Sequence, residues 1–327
     1  KELGFKHVYV VEEQKYPDGT FPTVAYPNPE DEKAWTLALA LAEEKDADII
    51  LATDPDADRL GVYAKDAKTG RYVSFTGNMS GMLIAEYILR ERTRMGTLPE
   101  KAALVETIVT TDMAKAIAEE YHVALIEVLT GFKYIGEQIR IFEETGSYNY
   151  VFGLEESYGC LAGTYARDKD ACVAVMMLCE VAAYYRTQGK TLWDAMVDMY
   201  EKYGYYREGL ATITLKGIDG AEKIGKIMEG FRKEPPKKMG DFKVLAVRDY
   251  LEGKRKDLAD GKEQVLNLPK SNVMYYELEN QAWCCVRPSG TEPKIKFYFG
   301  VRGDSLEDSE QKLNKLKTDM ENISANV

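Results

Sequence analysis

This sequence has almost no histidine and no paired cysteines, which limits the metal and redox chemistry that it can carry. Its two histidines, His7 and His122, lie far apart, and none of its five cysteines belongs to a CxxC pair. The cysteines are Cys160, Cys172, Cys179, Cys284 and Cys285. Because a structural zinc site needs clustered Cys and His ligands, no zinc site is predicted. Few, unpaired cysteines are typical of small buried side chains in a reducing compartment.

Long apolar runs and an excess of positive charge are also absent. The longest apolar run, residues 171–185, is short for a membrane span and contains Glu180, and the first residues resemble neither a signal peptide nor a transit peptide. A net charge of −11 argues against non-specific nucleic-acid binding, although a cleft in an acidic protein can still bind phosphorylated small molecules. We expect a soluble, cytoplasmic protein with a small-molecule partner and no nucleic-acid or membrane partner. The sequence leaves its oligomeric state open.

The length and the order of the elements predict several domains. At 327 residues the chain is too long for one typical core. Strand and helix patterns alternate from Lys6 to Tyr203, and repeated βαβ units predict parallel or mixed sheets covered by helices. After Tyr203, strands group beside two helices, as in an α+β domain. The predicted fold is therefore α/β: two α/β domains, residues 1–99 and 100–204, precede a smaller α+β domain, residues 205–327.

Four local patterns matter for the site and its surroundings. The pattern of Lys6–Val11 predicts a strand, and Ala47–Ala52 predicts a short buried strand. Tyr16–Glu30 is rich in proline and predicts a loop, because proline blocks both helices and strand ladders. The Lys/Pro/Gly stretch Lys233–Gly240 predicts a second loop.

Three aspartates directly follow the predicted strand Ala47–Ala52. Asp54, Asp56 and Asp58 are spaced at i, i+2 and i+4, so their carboxylates can converge on one hard cation. Ligands of oxygen alone favour Mg²⁺, Ca²⁺ or Mn²⁺ over zinc, and the loop fails the EF-hand pattern because Arg59 stands where that pattern needs Gly. Three carboxylates leave coordination sites open for a phosphate oxygen, which suits Mg²⁺. The alternative is a solvated acidic turn.

The segment Gly153–Gly159 follows another predicted strand, Tyr150–Leu154. In open α/β sheets, ligands bind at the carboxyl ends of strands. The Glu155 carboxylate and the Ser157 hydroxyl suit hydrogen bonding to sugar hydroxyls. Taken alone, this segment fits a capped turn with exposed glutamates equally well.

The segment RPSGTEPK, which begins at Arg287, joins two predicted strands. Its guanidinium, the hydroxyls of Ser289 and Thr291, and the backbone freedom of Gly290 together suit a phosphate cradle. The segment does not match the P-loop pattern, so a nucleotide triphosphatase is not implied. The alternative is a plain turn between the two strands.

Together, the three loops describe a metal site, a polyol site and a phosphate site on separate domains. The segments PDGTFPTVAYPNPE, TDPDADRLG, TGFKYIGE, GLEESYG, RDKDA and RPSGTEPKIKFYFGVRG occur in this order. With them, the chain resembles the α-D-phosphohexomutase family of phosphoglucomutases and phosphomannomutases along essentially its whole length. The resemblance is strongest to the phosphoglucomutase-like branch.

The resemblance implies a role for each loop. Family members have four domains around a central cleft: three are α/β, and the last is a smaller α+β domain that carries the phosphate loop. The implied Mg²⁺ ligands are Asp54, Asp56 and Asp58, with Arg59 beside them. The implied substrate-binding residues are Lys133, Glu155, Ser157, Arg167 and Lys169 in the cleft, and Arg287, Ser289, Gly290 and Thr291 at the non-reacting phosphate.

The implied reaction moves phosphate between O1 and O6 of a hexose phosphate, as from glucose 1-phosphate to glucose 6-phosphate. A phosphoserine of the family's first domain phosphorylates the sugar, and glucose 1,6-bisphosphate, both intermediate and activator, turns over in the cleft. The reactive serine of the family lies in a Ser-His-Asn segment, and here neither His7 nor His122 follows a serine. We therefore expect a chain that resembles domains two to four, carries no catalytic serine and is inactive alone.

The resemblance leaves alternatives open. Related enzymes act on mannose or pentose phosphates, so the chain could belong to a phosphomannomutase or a phosphopentomutase. A metal-dependent phosphatase could use an aspartate of the loop as its nucleophile. The chain could also be a non-catalytic module that binds sugar phosphates. The general base is not identified, since the first domain can supply it.

Overall fold

The computed structural model describes residues 3–215, 218–289 and 293–325 of the chain. The chain divides into two compact units, and the structure has the predicted α/β class. The first unit contains Lys1–Glu106, Ala118–Ile126 and Gly131–Met199, and the second contains Thr107–Ile117, Glu127–Thr130 and Tyr200–Val327. Among the described residues, no helix is both long enough and apolar enough to cross a membrane.

The first unit begins with a small antiparallel sheet. Its strands, in the spatial order β1-β2-β3, are β1 (Ile49–Thr53), β2 (Leu60–Lys65) and β3 (Tyr72–Phe75). The strand-like segments Leu60–Ala64 and Tyr72–Phe75, separated by Gly70, predict a hairpin, and the antiparallel pairing of β2 and β3 confirms it. Helix α1 (Thr36–Lys45) follows a 3-10 turn, and a cluster around the buried Trp35 packs the helix region against this sheet.

The predicted strand Lys6–Val11 is wrong. Residues 5–11 belong to no strand, and the side chains of Val8, Tyr9 and Val10 are 38%, 48% and 53% exposed. β-Branched and aromatic residues favour strands only where a partner strand completes the hydrogen-bond ladder. In the described residues, β1 pairs with β2 and this segment pairs with neither. Residues Tyr16–Glu30 form the predicted loop.

The second sheet has four strands, and one of them ends at Glu155, in the segment predicted to bind the sugar. Its strands are β4 (Ala102–Thr107), β5 (Ala124–Val128), β6 (Asn149–Glu155) and β7 (Gly159–Ala162), in the order β5-β4-β6-β7. β4 and β6 are parallel, and β7 returns antiparallel to β6. The accompanying helices are α2 (Gly77–Arg94), α3 (Met113–Glu120), α4 (Phe132–Thr145), α5 (Ala171–Arg186) and α6 (Leu192–Tyr203).

Helices cover both faces of this sheet, as predicted. At Gly153 of β6, a Cβ atom would lie 2.8 Å from Ile135 of α4, and the next residue, Leu154, packs against Gly81 of α2. Successive residues of a strand point to opposite faces, so α4 and α2 lie on opposite sides of β6. The end of β6, where Glu155 stands, is thereby fixed between two helices.

The second unit is built on a long antiparallel sheet. Its strands are β8 (Tyr205–Thr214), β9 (Lys238–Met239), β10 (Phe242–Asp249), β11 (Lys254–Asp257), β12 (Glu263–Val265), β13 (Met274–Leu278), β14 (Trp283–Pro288) and β15 (Lys294–Gly303). The order is β12-β11-β10-β13-β14-β15-β8, and β9 pairs with β10. Helices α7 (Ile218–Lys233) and α8 (Leu306–Ala325) share one apolar cluster with the sheet. The predicted loop Lys233–Gly240 is thus corrected in part, because β10 supplies a partner for the two residues of β9.

Candidate metal and phosphosugar site

The three aspartates converge in the turn between β1 and β2. One carboxylate oxygen from each of Asp54, Asp56 and Asp58 lies within 4.8 Å of the others. Asp54 Oδ1 accepts the backbone N–H groups of Asp58 (3.1 Å) and Arg59 (3.0 Å), so the chain folds back on its first aspartate. Ala57 has a φ of +56°, which closes this tight turn. The spacing i, i+2, i+4 therefore brings the carboxylates together through local backbone geometry.

The cluster holds negative charge that its own hydrogen bonds only partly offset. Burial raises the pKa of Asp54, and the charges of Asp58 and Asp56 raise it further, against the backbone hydrogen bond from Arg59. Asp58 Oδ1 is buried and has no hydrogen-bond partner in the described residues. A buried polar atom without a partner costs free energy, and a hard divalent cation would offset that cost. The donor set fits Mg²⁺.

Arg59 lies beside the cluster and is shared between two groups of carboxylates. Its Nη1 atom donates to Glu30 Oε1 at 2.8 Å, whereas its Nε atom lies 3.7 Å from both Asp54 Oδ2 and Asp58 Oδ1. Burial acts to lower the pKa of Arg59, but the charges of Glu30 and Asp58 outweigh it and the pKa lies above its ordinary value. Glu30 was not among the predicted site residues, although it ends the segment YPNPE, which is part of the resemblance.

Lys169 joins the aspartate loop to the loop after β6. Its Nζ atom lies 2.9 Å from Asp58 Oδ2 and 3.5 Å from Glu155 Oε1. The Ser157 hydroxyl donates to the same Glu155 oxygen at 2.9 Å, and Glu155 is only 5% exposed. Burial acts to lower the pKa of Lys169, but Glu155 and Asp58 outweigh it and raise the pKa. The predicted metal loop and the predicted sugar loop are thus electrostatically linked.

Backbone hydrogen bonds connect the aspartate loop and its following strand to the loop after β6 and to the start of α5. The N–H of Leu60 donates to Tyr158 O, and the N–H of Ala171 donates to Ala57 O, both at 2.9 Å. Gly77, the first residue of α2, allows the loop after β6 to approach closely: a Cβ atom there would lie 2.6 Å from Tyr158 N. The relative placement of the two loops is therefore set by main-chain contacts.

The other two predicted cleft residues have different partners. Arg167 pairs with Glu143 through Nη2 at 2.6 Å and donates to Thr164 O at 2.7 Å. The Lys133 ammonium lies 4.8 Å from the centre of the Tyr134 ring. The contacts that bring the aspartates, Glu155, Ser157 and Lys169 together do not include these two side chains.

The predicted phosphate loop connects β14 and β15 in the second unit. Arg287 pairs with Lys296 in the β14–β15 ladder, and the Ser289 N–H donates to Lys294 O at 2.7 Å. Gly290 and Thr291 lie outside the described residues. The two strands that the segment joins are confirmed, whereas the role of the segment in phosphate binding stays a prediction.

Comparison with known proteins gives a consistent result along the chain. The family model "Phosphoglucomutase/phosphomannomutase, alpha/beta/alpha domain II" matches residues 1–69, and the corresponding model for domain III matches residues 76–203. A phosphoglucomutase from Staphylococcus aureus (strain bovine RF122 / ET3-1) is 37% identical over 316 residues, which cover 97% of this chain and 56% of that protein. A phosphoglucomutase from Staphylococcus epidermidis (strain ATCC 12228 / FDA PCI 1200) is 39% identical over 312 residues, with 95% and 56% covered.

The similarity extends to solved structures. The crystal structure of a phosphoglucomutase/phosphomannomutase family protein from Burkholderia thailandensis matches with a TM-score of 0.60 at 18% identity, covering 93% of this chain and 52% of that chain. At that identity the match shows a shared fold. The chain spans about half the length of the curated relatives that it matches.

Proposed function

This chain belongs to the phosphoglucomutase/phosphomannomutase family, and from that premise we propose that it supplies the metal and substrate sites of an enzyme that moves phosphate between O1 and O6 of glucose phosphate. The observation that carries the proposal is the ion pair between Lys169 and Asp58. Because Lys169 also faces Glu155, one cation connects the metal loop with the sugar loop. The pairing of these two loops suits a sugar phosphate whose phosphate faces the metal and whose hydroxyls face Glu155.

In this proposal Asp54, Asp56 and Asp58 hold Mg²⁺. Bound Mg²⁺ would neutralise the negative charge that builds on the phosphoryl group during transfer. Asp54 orients the turn by accepting two backbone N–H groups, while the buried Asp58 Oδ1 offers a lone pair that no hydrogen bond occupies. The positive charge of Arg59 offsets part of the negative charge of the three aspartates.

The chain's own polar groups then bind and orient the sugar. Glu155 can accept hydrogen bonds from sugar hydroxyls, and Ser157 holds its carboxylate in one orientation. Lys169 supplies positive charge between metal loop and sugar loop. We propose further contacts of the substrate with Lys133 and Arg167, and contacts of its non-reacting phosphate with Arg287, Ser289, Gly290 and Thr291.

Two further groups would take part in the remaining steps. A phosphoserine would donate and receive the phosphoryl group, and glucose 1,6-bisphosphate would be the intermediate and activator. We propose that residues 1–99, 100–204 and 205–327 act as three domains in this reaction. Glucose phosphate is the proposed substrate because the two sequence relatives are named phosphoglucomutases; mannose and pentose phosphates are the competing substrates to be measured.

Isothermal titration of this chain tests the proposal. We expect weak, saturable Mg²⁺ binding, and glucose 1-phosphate binding that is tighter when Mg²⁺ is present. Asp56→Asn should abolish the Mg²⁺ signal, because it removes one ligand of three. Glu13→Gln, an exposed carboxylate in a 3-10 turn of the same unit, is the control and should bind Mg²⁺ like the unmodified chain. Equal Mg²⁺ affinity in Asp56→Asn and the unmodified chain would contradict the proposed site.

A further inference from the structure

The Arg59 guanidinium lies near three carboxylates and makes its side-chain hydrogen bond with one of them, Glu30. Its guanidinium makes a hydrogen bond of 2.8 Å to Glu30, while the two aspartate oxygens nearest to Nε lie at 3.7 Å. The first distance is a charge-assisted hydrogen bond, and the second exceeds hydrogen-bond range. The Arg59 guanidinium is therefore hydrogen-bonded to Glu30, whereas its contacts with the two aspartates are longer ion pairs.

Glu30 is placed by a loop that is itself anchored. The Trp35 indole donates to Pro29 O at 2.9 Å, and this indole is buried. The Glu30 N–H donates to the Asn28 side chain at 2.9 Å. Pro29 also packs on β2 where Gly61 leaves room, since a Cβ there would lie 2.7 Å from Pro29 Cβ. These contacts fix the backbone from which the carboxylate reaches Arg59.

We propose that Glu30 is a positioning residue that holds Arg59 at the side of the aspartate cluster and keeps Asp54 Oδ2 and Asp58 Oδ1 available to a divalent cation. Asp54 Oδ2 and Asp58 Oδ1, each 3.7 Å from Nε, are the other carboxylate oxygens that pair with this guanidinium in the described residues. Without Glu30, Arg59 would pair with them and compete with the metal. The proposal rests on the metal site of the proposed function.

In this proposal the Pro-rich loop Tyr16–Glu30 affects metal binding and also packs against β2. An ion pair of two partly exposed side chains contributes little to stability, and Arg59 and Glu30 are 32% and 33% exposed. A purely structural role would therefore show as a small change in the melting temperature. A positioning role shows as a change in Mg²⁺ affinity that depends on Arg59.

Titration of Mg²⁺ into variants of this chain tests the proposal. Glu30→Gln should weaken Mg²⁺ binding by about fivefold, the upper end for a partly exposed ion pair. Loss of one nearby negative charge also weakens cation binding, so Glu32→Gln is the matched control. Glu32 is exposed, stands two residues further along, and should give less than about a twofold change.

A double-mutant cycle separates positioning from charge. Arg59→Leu removes the competing cation, so in that background Glu30→Gln should have no greater effect than Glu32→Gln. The positioning role is overturned by equal Mg²⁺ affinities of Glu30→Gln and Glu32→Gln, or by an undiminished effect of Glu30→Gln in the Arg59→Leu background. If the unmodified chain does not bind Mg²⁺, the proposed function itself fails; if it binds Mg²⁺ and Asp56→Asn abolishes binding, only the role of Glu30 is at issue.

Discussion

Lys169 Nζ lies 2.9 Å from Asp58 Oδ2, so a lysine just before α5 meets the last aspartate of the metal loop. The same ammonium lies 3.5 Å from Glu155. A divalent cation bound to the three aspartates would therefore share Asp58 with Lys169, and the same lysine faces Glu155 at the end of β6. We therefore expect Lys169 to affect metal affinity and sugar affinity in opposite directions.

Lys169→Met should strengthen Mg²⁺ binding and weaken glucose 1-phosphate binding. Removing the ammonium frees Asp58 Oδ2 for the metal, and we expect an increase in Mg²⁺ affinity of about fivefold. The same change removes positive charge from the proposed binding site of the sugar phosphate. Calorimetric titration of each ligand separately measures both effects. Lys190→Met, which breaks a lysine–aspartate pair elsewhere in the unit, should change neither affinity; parallel changes in both variants would refute the specific role of Lys169.

The convergence of the three aspartates was predictable from the sequence because it depends on local geometry. Asp54 and Asp58 are four residues apart, and the backbone hydrogen bonds that bring them together are made within the turn. The link between Glu30 and Arg59 was not predictable in this way. It depends on where the Pro-rich loop runs, and that course is set by Trp35 and Gly61, which lie in other elements.

The strands show the same division between local and non-local information. The hairpin of β2 and β3 was predicted, since its pairing is decided by neighbours in sequence. The strand prediction for Lys6–Val11 failed because the segment has no partner strand in the described residues. No strand was predicted at β11 or β12. Both strands are short and largely exposed, so their residues show neither an apolar run nor an alternation of apolar and polar side chains.

Gly77→Ala should destabilise the first unit and disturb the loop after β6. The added methyl would lie 2.6 Å from Glu156 O and Tyr158 N, which are backbone atoms that cannot rotate away. We expect a loss of about 1–3 kcal/mol in the free energy of unfolding, as for overpacking elsewhere. Urea denaturation followed by circular dichroism measures it.

Gly225→Ala in α7 is the control for that substitution. Apart from the backbone of its own helix and its two chain neighbours, no described atom lies within 4 Å of a Cβ at Gly225, and alanine favours a helix by about 0.5–1 kcal/mol relative to glycine. The control should therefore be neutral or stabilising. If both alanine variants are equally stable, the close approach at Gly77 does not constrain the loop.

Asp112 should make the stability of the second unit depend on pH. Burial raises the pKa of Asp112 to about 6, and the Glu127 carboxylate adds to this against Lys115 and Arg248. Between about pH 4 and pH 6 the folded unit then binds more protons than the unfolded chain, so this carboxyl lowers stability as pH rises through that window. Asp112→Asn removes the effect. We expect it to raise the free energy of unfolding by about 1–3 kcal/mol at pH 8.

For Asp112, the decisive measurement compares the free energy of unfolding of Asp112→Asn with that of the unmodified chain at two pH values. At pH 4 the carboxyl is protonated and resembles the asparagine amide in charge, so the variant and the unmodified chain should unfold at nearly the same urea concentration. At pH 8 the variant should be the more stable. A stability difference of the same size at both pH values would mean that ionisation of Asp112 does not contribute.

The chain alone should not convert glucose 1-phosphate to glucose 6-phosphate, even with glucose 1,6-bisphosphate and Mg²⁺. Residues 1–327 contain no Ser-His-Asn segment, the segment in which the resemblance places the phosphoryl-carrying serine, while they do contain the residues proposed to bind metal and sugar. A coupled assay for glucose 6-phosphate should therefore give no signal at ligand concentrations at which calorimetry shows binding. Turnover that is lost in Asp56→Asn would contradict this prediction, because the chain would then have to hold a phosphoryl acceptor of its own.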